Sequence, residues 1–254
     1  PSPDPSFMES LARGLAVIRA FGGGRTRLSG AEVAALTGLS RAAARRCLHT
    51  LTVLGYARIV DGAYELTPAV LKLGQAYLGS ASLAGVSQPV LRRTSEELQE
   101  STGVALLDGD EIVFVARAAA RRILSVEISV GSRLPAVSTA SGRVLLAHED
   151  EQTRDRWLTR VKLPRHTRRS IVDREELRAE IARVRAQGYA IVDQELELGL
   201  RSAAVPIARH EGTVVAALNV GVQAGRVDTR TLQREIVPKL REAAAEIARR
   251  LEGE

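Results

Sequence analysis

With a single cysteine, Cys47, in 254 residues, the chain has no internal disulfide framework, and it fits a reducing compartment. No apolar run approaches membrane-spanning length, and 26% of the residues are charged, so a soluble protein without a membrane partner is expected. The opening "PSPDPSFMES" lacks the basic-then-apolar order of a signal peptide, which points to a cytoplasmic location. The four histidines, His49, His148, His166 and His210, have no metal-ligand spacing. Phosphate-binding P-loop, nucleophile-elbow and dinucleotide patterns are missing too, so catalysis is the weaker class and neither cofactor nor metal is expected. Glu195 and Glu197 could do acid-base work, but such a pair is read as surface carboxylates.

Basic charge is present, and it is unevenly placed. Up to residue 78 there are nine Lys or Arg against five Asp or Glu, whereas the remainder holds 27 against 25. A basic module followed by a nearly neutral one suggests a polyanion partner for the first and another task for the second. The expected division is residues 1–78 and 79–254, at the small-residue stretch "GSASLAG".

The first module has a readable order. Leu11, Leu15, Ile18 and Phe21 keep helical spacing up to the glycines at 22–24. Ser29 and Glu32 form a capping-box pattern, and Thr37-Gly38-Leu39 makes a turn into "SRAAARRCLHTLTVLG". In that second helix Ala44, Cys47, Leu48, Leu51 and Leu54 make the dry side, with Cys47 read as a small core residue. Ala42, Arg45, Arg46, His49 and Val53 fall opposite, with Arg41 at the edge. Asp61-Gly62 between alternating residues signals a hairpin. Helix, turn, basic helix and hairpin are the order of a winged helix-turn-helix, whose wet face would enter the major groove of double-stranded DNA. The DNA-facing candidates are Ser29, Ser40, Arg41, Ala42, Arg45, Arg46, His49 and Arg58, with Ser40 meeting phosphate. Leu11, Leu15 and Ile18 leave an apolar face that a two-fold dimer would bury.

The second module reads as a mainly antiparallel sheet with packed helices, giving an α+β chain overall. Strands are expected at "VALLDG", "EIVFVAR", "ILSVEISVG", "SAAVPIA" and "TVVAALNVGV", and helices near 86–100, 141–148, 174–187 and 229–250. Its most unusual polar patch is "GSRLPAVSTASGRVLLA", where small residues from Ser138 to Gly142 open a helix. Backbone N–H groups and hydroxyls there can hold a carboxylate, and the same residues serve equally well as an N-cap packed on a sheet. The loop in "VDQELELGLRS" is longer than a turn requires and could cover a pocket. Seven Lys or Arg between Arg154 and Arg169 face a single acid, Asp155, and are read as a solvated loop.

Taken together, "RGLAVIRAF", "SRAAARR", "YELTPAVLKLG", "SVGSRLPAVSTASGRVLLA", "RAQGYAIVDQELELGLRSAAVP" and "VVAALNV" resemble the IclR family of bacterial transcription regulators. The recognition segment with "VDQELELGLRS" is similar to the branch controlling protocatechuate, 4-hydroxybenzoate and β-ketoadipate catabolism. The resemblance implies a winged helix-turn-helix, a GAF-like effector-binding domain, and homodimers that pair into tetramers. It also implies an organic-acid effector held by Val126, Leu134, Ala140, Ser141, Asp193, Leu200, Ser202, Asn219 and Gly221, with Arg201 as an anion partner or a structural arginine. The rival reading is a small-molecule sensor or enzyme that keeps the winged helix only for oligomerisation.

Overall fold

The computed structural model describes residues 6–22, 24–78, 82–120 and 128–253. Two compact units emerge, Pro1–Tyr77 and Leu78–Glu254.

In the first unit, α1 (Glu9–Ala20), α2 (Gly30–Thr37) and α3 (Arg41–Val53) are followed by the antiparallel strands β1 (Ala57–Val60) and β2 (Ala63–Leu66). Ser29 caps α2 through the capping box with Glu32, and Gly38 ends that helix in the left-handed region at φ 68°. Ser40 then accepts from the Ala43 N–H and starts α3. Asp61 and Gly62 both have positive φ, as a two-residue hairpin whose strands pair at Val60 and Ala63 requires. Val17, Leu28, Val33, Ala44 and Leu48 form the buried centre, with Cys47 half-buried beside them. Leu54, expected on the dry side, is exposed because it is the C-cap, beyond the last helical residue. After a short turn comes α4 (Leu71–Leu78).

The second unit begins with α5 (Leu83–Leu98), β3 (Ser101–Asp108), β4 (Glu111–Ala118) and β5 (Arg133–Pro135). Then come α6 (Ala140–His148), α7 (Glu151–Arg160), α8 (Arg174–Gln187), β6 (Ala190–Asp193), β7 (Leu200–Ala208) and β8 (Val214–Gln223). A short α9 (Thr229–Thr231) and a π-helical turn lead into α10 (Val237–Glu252). The six strands pair antiparallel in the order β5-β4-β3-β8-β7-β6. Alternation sends Ala203, Val205 and Ile207 to one face, under α5 and α10, and Ala204 and Ala217 to the other, under α6 and α8. The result is an α+β unit with helices on both faces of an antiparallel sheet.

Two expectations change. Of the strand expected at 123–131, residues 123–127 lie outside the described residues, and 128–131 form coil and a turn. Gly131, at φ 86°, bends the chain, and the edge strand starts only at Arg133. The basic segment read as a loop begins as helix α7, capped by Asp150, with Trp157 and Leu158 buried. Trp157 donates its indole N–H to the Gly109 carbonyl at 3.0 Å. Two buried residues in ten leave too thin a stripe for periodicity to detect.

Candidate functional site

The outer face of α3 carries the charge. Arg41, Ala42, Arg45, Arg46 and His49 are exposed, whereas Ala44, Leu48 and Leu51 are buried. Ser40 spends its hydroxyl on the α3 cap, and Ser29 is bound to Glu32 by both its backbone N–H and its side chain. That bonding holds the Glu32 carboxyl below its ordinary pKa. On the hairpin, Arg58 and Arg27 both pair with Glu65, so Arg58 is exposed but already partnered.

In the second unit, Ser138, Thr139 and Ala140 bring the start of α6 onto the sheet. Thr139 caps the helix by accepting from the Gly142 N–H. A Cβ on Gly142 would stand 2.1 Å from the Ala136 carbonyl oxygen, so only glycine permits this approach. Between the helix start and the sheet lies a small cavity of about 40 Å³. Leu134, Ser138, Thr139 and Ala140 line it opposite Leu200, Ser202 and Asn219. The hydroxyl of Ser141 and the side-chain carbonyl of Asn219 are buried beside it without a hydrogen-bond partner. Unsatisfied polar atoms at this depth are unfavourable, and a polar ligand would relieve them. Through Ile128 and Leu200 the cavity continues into an open groove of about 780 Å³ that reaches Ser101, Arg117 and Gly221.

Most of the expected effector residues converge here: Leu134, Ala140, Leu200, Ser202 and Asn219 line the cavity, Ser141 is buried next to it, and Gly221 lines the groove. Val126 lies outside the described residues. Asp193 and Arg201 do not line either space. They stand opposite each other on β6 and β7 and share the sheet face of Ala203, because side chains alternate along a strand and Leu200 and Ser202 take the other face. Arg201 is fully used there: its Nε donates to Asp193 at 2.7 Å, and it also reaches the carbonyls of Ala224 and Val227. Burial opposes ionisation of Asp193, but hydrogen bonds from Arg201 and Gln194 and the charges of Arg201 and Arg169 outweigh it, leaving the carboxyl below its ordinary pKa.

Sequence reading missed a second group. Arg143, on the third turn-facing position of α6, is 1% exposed. It donates to the Val137 carbonyl at 3.2 Å and to Glu195 at 2.5 Å, with Glu180 3.7 Å away. Glu195, read as a surface carboxylate, is therefore buried, and it also accepts from the Ile171 N–H. The pair ties the loop that carries Leu196 and Leu200 to the helix start. An arginine beside "STASG" was the available signal, and helical periodicity alone hid it among the apolar residues of α6.

Two family models cover this architecture. Residues 10–60 match the IclR helix-turn-helix domain, and residues 75–249 match the bacterial transcriptional regulator IclR C-terminal domain. The chain belongs to the IclR family. It is 49% identical to the Pca regulon regulatory protein of Pseudomonas putida, over 98% of this chain and 86% of that protein. It is 36% identical to the p-hydroxybenzoate hydroxylase transcriptional activator of Acinetobacter baylyi, over 95% and 91%. Among solved structures, a transcriptional regulator from Rhodococcus sp. RHA1 superposes with a TM-score of 0.87 at 45% identity, covering 97% of this chain and 99% of the other. An IclR homologue from Microbacterium hydrocarbonoxydans, in complex with 4-hydroxybenzoate, gives 0.85 at 29% identity, over 97% and 100%.

Membership makes the first unit of this IclR regulator a DNA-binding module, and its relatives are named as regulators rather than enzymes. No described helix is long and apolar enough to cross a membrane.

Proposed function

We propose that this IclR-family regulator controls aromatic-acid catabolism genes by binding an organic acid of the protocatechuate, 4-hydroxybenzoate or β-ketoadipate type on the α6 face of its sheet. The observation that carries the reading is the pair of buried, unpartnered polar atoms of Ser141 and Asn219 at the start of a helix, over an otherwise apolar cavity. The helix start and hydroxyls take a carboxylate, and Leu134 and Leu200 flank the apolar part. The cavity by itself is scarcely larger than one water's share of liquid volume, so the body of the ligand extends into the adjoining groove. In the first unit, Arg41, Ala42, Arg45, Arg46 and His49 face the major groove while Ser29, Ser40 and Arg58 lie towards the DNA backbone. Exposed Leu11 and Leu15 on α1 form the seam of a homodimer, which in turn pairs into a tetramer.

Calorimetry with the three acids, followed by operator titration with and without the acid that binds, tests the reading. A ligand that binds the native state raises its melting temperature, and its coupling to DNA need only be on the order of 1–3 kcal/mol. The effector reading fails if none of the acids binds or if Ser141→Leu, still folded, keeps wild-type affinity. A monomer that turns over these acids and ignores DNA would favour the sensor or enzyme alternative.

A further inference from the structure

Arg117 sits on β4 at the end of the groove away from α6. Among the described residues its guanidinium has no hydrogen-bond or ion-pair partner, although it is half-buried. Burial alone pushes its pKa down, with no neighbouring carboxylate offsetting it. The nearby acids are otherwise disposed: Glu100 is paired with Arg226, and Glu96 and Glu197 are exposed and make no ion pair with Arg117. A partly desolvated cation left in this state is unfavourable unless something else meets it.

Strand register connects Arg117 to the cavity. Arg117 stands opposite Gly103 of β3, and Gly103 stands opposite Asn219 of β8, so the three share one row on the α6 face. Two strand spacings, about 10 Å, separate the outer two. Gly103 contributes no side chain to the row, and the Phe114 ring lies so close that a Cβ there would come within 2.9 Å of it. The floor between Arg117 and Asn219 is therefore apolar and carries no competing acceptor.

We propose that Arg117 anchors a second anionic group of the effector, so that the site accepts dicarboxylates extended along this row, one carboxylate at the start of α6 and the other on Arg117. The inference rests on the effector reading given above. It adds a charge requirement at the far end of the ligand, which the α6 end alone does not impose.

Hexanedioate and hexanoate differ only in the second carboxylate, and calorimetry of both acids on the full chain tests the proposal. Wild type should bind hexanedioate roughly 10-fold or more tightly than hexanoate, since an arginine–carboxylate pair supplies the difference. Arg117→Gln should abolish that preference and leave hexanoate unchanged. Arg117→Lys, which keeps the charge but not the fork, should restore part of it. Melting temperature checks folding, which a side chain without partners should not control. The proposal is overturned if wild type shows no preference, if the preference survives Arg117→Gln, or if both acids weaken equally in that variant. If 4-hydroxybenzoate binds in any of these cases, the α6 cavity stands and only the second subsite is lost. If none of the acids binds, both readings fall.

Discussion

Replacing Arg143 with Met removes a cation from the least accessible position on α6, and the consequences can be worked out atom by atom. The arginine side chain is 1% exposed and that of Glu195 10%, so neither is hydrated in place of its partner. After the change, Glu195 keeps only the Ile171 N–H, and the Val137 carbonyl loses its donor. Breaking one side of a buried pair costs about 3–5 kcal/mol, against about 0–1 for an exposed pair such as Arg178 with Asp155. For a unit of this size the melting temperature should drop by about 2–4 °C per kcal/mol, or roughly 6–20 °C in all. The double variant Arg143→Met, Glu195→Met leaves neither charge stranded, and it should recover most of the loss. Calorimetric unfolding of wild type, both single variants and the double completes a mutant cycle. A single-variant cost below about 1 kcal/mol, or strict additivity in the double, would refute the account of Arg143 as the pin of the 194–200 loop.

Four shorter expectations accompany it. Gly142→Ala should destabilise the second unit by at least the ~1–3 kcal/mol typical of overpacking, because the new Cβ meets backbone at Ala136 and not a movable side chain; thermal unfolding measures it. Stability should fall as pH drops below about 4, since a carboxyl with a lowered folded-state pKa stabilises only above the unfolded value; Asp193→Asn should flatten that limb in acid titrations, and an unaltered limb would exclude Asp193 as a contributor. Arg45→Ala and Arg46→Ala should leave folding intact and cost about 1–3 kcal/mol where the side chain reads a base, or lower the salt slope by about 1 where it meets phosphate; unchanged operator titrations in both would remove α3 from the interface. Leu11→Asp with Leu15→Asp should shift sedimentation toward monomer, and an unaffected oligomer would place the dimer seam elsewhere.

Local chemistry was the legible part of this chain. The capping box at Ser29, the Gly38 stop, the Asp61-Gly62 hairpin and the wet side of α3 all depend on residues within a few positions of one another, and each appears where spacing put it. The α6 patch was legible for the same reason, since small residues before a helical stretch mark a helix start whatever lies across from it. Asp193 and Arg201 were legible as polar residues near the pocket loop, but the sheet face on which they point depends on strand register. A shift of one position separates Ser202, in the cavity, from Arg201, locked to Asp193 behind it.

Arg143, Glu195 and Arg117 depend on tertiary pairing. The first two are 52 positions apart and meet only because the loop before β7 folds over α6, so neither periodicity nor composition could distinguish them from solvated charges. Arg117 becomes notable only when register sets it across an empty glycine from Asn219 and when its missing partner is known. The two buried arginine environments are therefore opposite in kind. Arg143 is fully satisfied by protein groups and holds the cavity's shape, whereas Arg117 is left unsatisfied at its far end. A sheet that neutralises one buried cation completely and leaves another facing a groove of ligand size separates scaffold from recognition, and the variants at the two positions should separate the same way: melting temperature for Arg143, ligand charge preference for Arg117.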